Sequence, residues 1–397
     1  MSTTLAARLA GIEPSATLHV AQRAATLRAA GRDVISFALG EPDFDPPEHV
    51  LEAARRATAH ASHYTAVAGI AELRAAVAED SARRRGVRHE PDEVLVTVGA
   101  KHALFNLALA LYEPDDEVII PSPYWVSYPE HARLLGARPV VVRTEGPRFR
   151  LTPEALAAAA SPRTRAVVLC SPSNPTGAAY DAAELAALAE VLRRIDAWIV
   201  LDEIYGELVY DGRSHVSLLS VAPDLRERVV VVDGVSKTFA MTGWRIGWLI
   251  GPRSLVRACE LVQGQSTSNP TAVAQHAALA ALTGAREPLQ RMRDEFRRRR
   301  DVLVAGLDSI DGIRCAVPEG AFYAFADVRG LLGRRWGQRE LRDDTDVASF
   351  LLEDALCAAV PGTAFGEPGY IRFSYATAMP LLERGLQRIR DAVATLR

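Results

Sequence analysis

The chain has 397 residues, and its 46 lysines and arginines are nearly matched by 49 acidic side chains, for a formal net charge of −3. Nucleic acid and anionic membrane surfaces select proteins with a cationic surplus, so neither is an expected partner. With 49% hydrophobic and 24% charged residues the chain has the make-up of an ordered globular protein long enough for more than one domain, and no run of 18 apolar residues marks a membrane span. In chain order, the N-terminal segment mixes alanine and leucine with Arg8, Glu13 and Arg23 and lacks the uninterrupted apolar stretch of a signal peptide. Short β-rich runs at 94–98, 117–121, 140–142, 166–170, 198–201, 229–232 and 246–250 then alternate with helical patterns, the last five runs almost purely apolar. Apolar strands separated by helices suit a sheet buried on both faces, so the expected core is α/β, a mostly parallel seven-stranded sheet sandwiched by helices. Residues 270–307 read as helical with a break near Thr283 and Gly284. The remainder mixes strands (321–326, 370–374) with helices (345–356, 380–396), the pattern of a smaller α+β domain. Four consecutive arginines, 297–300, follow Asp294 and Glu295 and precede Asp301. Opposite charges three and four positions apart are helix-surface neighbours, so this run is expected to be a solvated face. The four cysteines lie far apart without a CxxC pair, which fits free thiols in a reducing cytoplasm and gives no metal site.

Only two of the 46 cations are lysines, Lys101 and Lys237. Lysine can lose its proton and act as an amine nucleophile or base, which arginine cannot, so both positions call for explanation. Lys237 lies just beyond the strand 229–232, where open α/β sheets hold ligands; a rim charge and a reactive amine both fit that place. Asp202 ends the strand 198–201, and a carboxylate there is costly to desolvate unless it meets a cation such as a protonated pyridine nitrogen. Tyr205 is then placed to reach a ring oxygen, although Asp202 taken singly reads better as a helix cap. Asn174 sits in a loop stiffened by Pro172 and Pro175, which gives its amide a definite direction. Gly99, Ala100 and Lys101 join a strand to a helix, and a helix N-terminus with small residues suits a phosphate. Ser236 and Arg245 offer a hydroxyl and a guanidinium for the same purpose, or are plain surface polar residues.

Ser236-Lys237 with Met241-Thr242-Gly243-Trp244-Arg245-Ile246-Gly247, Ser173-Asn174-Pro175-Thr176-Gly177 and Asp202-Glu203-Ile204-Tyr205 together resemble the class I pyridoxal-phosphate aminotransferases, most closely their bacterial aspartate aminotransferase branch. Gly40-Glu41-Pro42-Asp43-Phe44, Tyr64, the segment 122–129, Val360-Pro361-Gly362 and Ile371-Arg372-Phe373-Ser374-Tyr375 extend the resemblance over nearly the whole chain, and their order makes it specific. The resemblance implies a large cofactor-binding domain (40–289) and a small domain built from 1–39 and 290–397. It implies pyridoxal 5′-phosphate bound to Lys237 as a Schiff base, with Lys237 the base that moves a proton on the substrate. Asp202 would keep the ring nitrogen protonated, Tyr205 and Asn174 would bond the ring oxygen, and Trp125 would stack on the ring. Gly99, Ala100, Lys101, Ser236 and Arg245 would surround the phosphate. Tyr64 would reach the neighbouring subunit's phosphate, implying a homodimer with shared sites.

On the substrate side the resemblance assigns Arg372 to the α-carboxylate, with the Gly40 backbone facing it and Trp125 and Asn174 alongside. Bacterial relatives use a lysine at the place of Lys101 for a second carboxylate. Vertebrate-type enzymes use a partner arginine instead, and the corresponding stretch here, 263–270, contains none. The expectation is therefore ping-pong transfer from aspartate or another dicarboxylic amino acid to a 2-oxo acid such as 2-oxoglutarate. Cys170, where relatives often carry asparagine, and Leu18 and His19, in the covering segment that begins at Pro14 and Ser15, depart from the pattern. They leave open an aromatic, prephenate or specialised biosynthetic substrate, or a lyase or oxidase on the same cofactor. A non-catalytic binding protein is disfavoured by the intact Lys237, Asp202, Asn174 and Arg245, and a nucleotide-binding α/β enzyme by the lack of GxGxxG and GxxxxGK[ST].

Overall fold

The computed structural model describes residues 5–12, 16–144, 146 and 148–397; Glu13, and Pro14 and Ser15 of the covering segment, lie outside them. All seven expected strands of the main sheet form: β1 (Val94–Thr97), β2 (Glu117–Ser122), β3 (Arg138–Arg143), β4 (Thr164–Cys170), β5 (Trp198–Asp202), β6 (Val229–Gly234) and β7 (Gly247–Ile250). Their spatial order is β1-β7-β6-β5-β4-β2-β3. β7 runs antiparallel to both neighbours, and the other pairings are parallel. The apolar strands are apolar because both faces are covered. Val229 and Val231 enter one buried cluster with Ile199 and Leu201, while Val230 and Val232 enter another with Val200 on the opposite face. The parallel strands bring Cys170, Asp202 and Gly234 to one edge of the sheet.

A second sheet, ordered β10-β11-β9-β8, combines β8 (Arg314–Cys315), β9 (Tyr323–Asp327), β10 (Val360–Pro361) and β11 (Tyr370–Ser374), all antiparallel. The N-terminal segment is stitched onto this half of the molecule. Ile35–Ser36 pairs in parallel with Cys357–Ala358, and Phe37 accepts a hydrogen bond from Ser374 N–H at 2.7 Å. This pairing carries Ala38 and Gly40 to the rim of the main sheet.

The helical stretch 270–307 breaks where expected, into Ala272–Thr283 and Glu287–Asp308. Two expectations need adjustment. The helix expected at 345–356 ends at Glu353, after which Cys357–Ala358 pairs as a strand. The arginine run is only half solvated. Arg297 and Arg298 are exposed, but Arg299 and Arg300 are buried, 6% and 3% exposed. Positions 296, 299, 300 and 303 form one stripe of the helix, so these two arginines share the inward face with Phe296 and Leu303. Their charges are matched there: Arg299 donates to Asp43 at 2.6 Å and Glu295 at 2.9 Å, and Arg300 forks onto both oxygens of Asp211 at 2.7 and 2.9 Å.

Candidate active site

A cavity of about 260 Å³ opens between the C-terminal ends of the parallel strands and the small sheet. Its walls include Gly40, Ala100, Lys101, Trp125, Asn174, Asp202, Tyr205, Ser236, Lys237, Arg245 and Arg372, residues that are up to 332 positions apart in sequence (Gly40 to Arg372). Two of the expected site residues are not in the wall. Gly99 lies immediately behind it, where a Cβ would meet the Arg245 guanidinium at 2.4 Å, and Tyr64 is 92% exposed at the surface. Of the covering segment, Thr17 and Leu18 reach the cavity and His19 is exposed outside it.

Lys237 follows β6 and donates from Nζ to the Gly40 carbonyl at 2.6 Å. Burial pushes its ammonium down to about 8; Glu41 opposes that fall, and Arg245 and Arg372 reinforce it. About a tenth of the amine is then neutral at pH 7, far more than for an ordinary lysine. Asp202, at the end of β5, shows the opposite displacement: burial pushes its carboxyl up to about 6, against hydrogen bonds from Tyr128 O–H at 2.6 Å and Ile204 N–H at 3.3 Å. Among the described residues no basic side chain forms an ion pair with it. A buried carboxylate held by neutral donors beside an open cavity is a site for a cationic group.

The anion-binding end is built differently. Helix Ala100–Leu111 starts at the cavity, capped by Gly99 at φ 79°, a conformation that suits glycine. Gly247 packs so closely behind it that a Cβ would lie 2.4 Å from the Ala100 amide nitrogen. Arg245 donates to the Thr242 and Val98 carbonyls at 2.9 and 3.3 Å, which holds its guanidinium beside this helix N-terminus and Ser236. Amide groups, a hydroxyl and a fixed cation converge as a phosphate requires.

At the opposite wall Arg372, in β11, is 2% exposed. It donates to Asn174 Oδ1 at 2.9 Å and to the Ala38 carbonyl at 2.7 Å, while its Nε is buried without a partner. Tyr323 and Phe365 lie against its guanidinium at 4.5 and 5.0 Å from their ring centroids. Lys101 Nζ lies 4.9 Å from the Trp125 ring centroid, and burial and Arg245 both lower its proton affinity. Cys170 lines the cavity as a neutral thiol, pushed up to about 12 by burial.

Sequence reasoning missed two residues. Tyr128 reads as one aromatic among several, yet it is buried against Asp202. Tyr323 carries no local signal, yet its hydroxyl lies 2.8 Å from that of Tyr205. The four cysteines are unpaired, and no described helix is long and apolar enough to cross a membrane.

The site's parts fit a ligand with a phosphate, a ring cation and a carbonyl that an amine can attack, which is the chemistry of pyridoxal 5′-phosphate. Comparison with known proteins points the same way. Residues 32–389 match the family model for aminotransferase class I and II. The chain is 45% identical over 387 residues to an aspartate aminotransferase of Geobacillus stearothermophilus, covering 97% of this chain and 98% of the relative. It is 47% identical over 392 residues to an aspartate/prephenate aminotransferase of Cereibacter sphaeroides, covering 98% of each. The crystal structure of the Rhizobium meliloti aspartate aminotransferase superposes with a TM-score of 0.97 at 45% identity over the full length of both chains.

Proposed function

Because the chain belongs to the class I and II aminotransferases and moves amino groups between amino acids and 2-oxo acids, we propose that its donor is aspartate or another dicarboxylic amino acid, with pyridoxal 5′-phosphate as cofactor and 2-oxoglutarate as acceptor. The observation that carries this reading is the convergence on one cavity of a depressed lysine, an elevated carboxyl without a cation, and a helix N-terminus flanked by Arg245. When bound, the cofactor supplies a carbonyl carbon that exchanges amino groups and a protonated ring that draws electrons from the substrate α-carbon. Lys237 would hold it through Nζ, and an amine displaced to about 8 is suited both to take and to return the substrate's α-proton. Asp202 would hold the ring nitrogen's proton. Tyr205 and Asn174 would donate to the ring oxygen, Trp125 would cover the ring face, and Gly99, Ala100, Lys101, Ser236 and Arg245 would surround the phosphate.

Arg372 binds the substrate α-carboxylate beside the Gly40 backbone, its Asn174 and Ala38 contacts fixing the plane of the fork. Lys101 binds the second carboxylate, supported by its place in the wall above Trp125 and by relatives named for aspartate. Prephenate, in the name of one relative, also carries a second carboxylate and would use the same ammonium. A homodimer is supported by Tyr64, exposed and away from its own cavity and so free to complete the partner's site. We extend the proposal to a large domain of 40–289, a small domain of 1–39 with 290–397, and a cytoplasmic location, the last supported by the unpaired thiols. The test is a half-reaction: the purified enzyme is mixed with one amino acid at a time, without acceptor, and the visible absorption of the bound cofactor is followed. Aspartate and glutamate should convert it at far lower concentration than phenylalanine or alanine. Equal conversion by all four would refute the dicarboxylic donor, and a protein without visible absorption that Lys237→Ala abolishes would refute the cofactor.

A further inference from the structure

Tyr323 is a cavity-wall side chain that touches both halves of the site. Its hydroxyl lies 2.8 Å from that of Tyr205, and its ring face lies 4.5 Å from the Arg372 guanidinium. The two tyrosines come from different sheets: Tyr205 follows β5 of the main sheet, and Tyr323 opens β9 of the small one. Their spacing is fixed by backbone contacts on either side, with Ala321 N–H donating to Leu208 at 2.8 Å and Tyr210 N–H to Glu319 at 3.1 Å. Ala321, at φ 57°, offers its carbonyl to the hydroxyls of Tyr210 and Tyr375, which secures the turn into β9. Tyr323 itself is buried, so it cannot exchange these contacts for water.

We propose that Tyr323 is a positioning residue that links the carboxylate-binding arginine to the tyrosine serving the cofactor ring, orienting Arg372 with its ring face and Tyr205 with its hydroxyl. The inference rests on the cofactor reading above. If Tyr205 gives its proton to the ring oxygen, it can only accept from Tyr323, and a chain of two donors pointing the same way polarises both. The stronger donor at the ring oxygen withdraws electrons from the cofactor and makes the Lys237 nitrogen attached to it less basic. The charged groups facing Lys237 are Glu41, Arg245, Arg372 and Asp202, while the two tyrosines face each other, Cys170 and Arg372, and Tyr323 also faces Glu41. Tyr323→Phe alters none of these charges and removes only the hydroxyl.

The test pairs a spectroscopic readout with a kinetic one in the holoenzyme. In Tyr323→Phe the pH midpoint of the visible absorption change should rise by about 0.3–0.5 units, the loss of part of one hydrogen bond, while KM for the amino donor stays within about twofold because the ring remains under Arg372. Tyr323→Leu removes hydroxyl and ring together and should raise the midpoint and also increase KM by about fivefold or more. A Phe variant whose midpoint stays within 0.1 unit of wild type, on the order of measurement error for a shift this size, overturns the link to Tyr205, and a Leu variant with unchanged KM overturns the link to Arg372. A wild-type protein showing no visible pH-dependent absorption would instead overturn the cofactor reading itself, so the two failures are distinguishable.

Discussion

Removing the Tyr128 hydroxyl should make cofactor binding markedly more acid-sensitive than in the wild type. Asp202 is pushed up to about 6 by burial, and the Tyr128 hydrogen bond at 2.6 Å is the foremost influence holding it that low. A hydrogen bond to a charged acceptor is worth about 1.5–3 kcal/mol and one pKa unit about 1.36 kcal/mol, so Tyr128→Phe should lift Asp202 by about one to two units. The sign follows from which form binds: the ionised carboxylate attracts a ring cation, and a raised pKa depletes it on the acid side. At a pKa of about 7.5 the ionised fraction is roughly a tenth at pH 6.5 and nine tenths at pH 8.5, against about three quarters and essentially all in the wild type. The cofactor's own titrations occur with both proteins and cancel in the ratio. Kd for pyridoxal 5′-phosphate is measured by fluorescence quenching of the apo-enzymes at both pH values. The variant-to-wild-type ratio of Kd should be about sevenfold larger at pH 6.5 than at 8.5. A ratio that agrees within about twofold at the two pH values would show that Tyr128 is packing rather than a donor to a working carboxylate.

Lys101→Ala should raise KM for aspartate by about 10- to 100-fold, the loss of one charge-assisted contact, and leave an apolar amino acid nearly unaffected; parallel changes for both substrates in steady-state assays would sink the assignment. Gly247→Ala drives a Cβ to 2.4 Å from the Ala100 amide nitrogen, so urea unfolding should show about 1–3 kcal/mol of destabilisation together with weaker cofactor binding, whereas wild-type values for both would mean that the strand and helix can separate freely. Arg85 is fully buried beneath the site and donates to Glu203 at 2.7 Å and Asp233 at 2.8 Å. Arg85→Leu should cost about 1.5–3 kcal/mol in the same unfolding assay by leaving Glu203 to His215 and Asp233 to Arg84, and an unchanged midpoint would refute a structural role for that network.

The main sheet was legible because it is buried on both faces. Runs such as 229–232 admit no polar residue on either side, and the signal is local. The seven strands follow from that pattern, but the reversed direction of β7 does not, since an apolar run has no sign. Residues whose chemistry is set by a neighbour in sequence were also legible: Lys237 beyond β6, Asp202 at the end of β5, Gly99 and Ala100 at a helix start. Tyr128 and Tyr323 were not, because each acquires its role from a partner 74 and 118 positions away. The arginine run misled for a related reason. Charge balance along the helix described Arg297 and Arg298, but burial of the next two depended on Asp43 and Asp211, which the helix pattern does not contain.

The contrast between the two cation types carries the chemistry further. Arginines are the cations buried most deeply among the described residues, Arg85 between two carboxylates, Arg300 on Asp211 and Arg372 at the cavity wall. A guanidinium stays protonated under all of these burdens, which makes it a dependable structural charge and a useless base. Lys237, partly buried, is also desolvated and responds by falling to about 8, where gaining and losing a proton are both accessible. Burial that would merely strain an arginine is thus what activates the lysine, and no substitution by arginine could preserve it. Lys101 is only partly covered and its displacement is in the same direction. Its proposed work, pairing with a carboxylate, requires the charged form, so occupancy of the cavity by a dicarboxylate should restore the proton affinity that burial takes away.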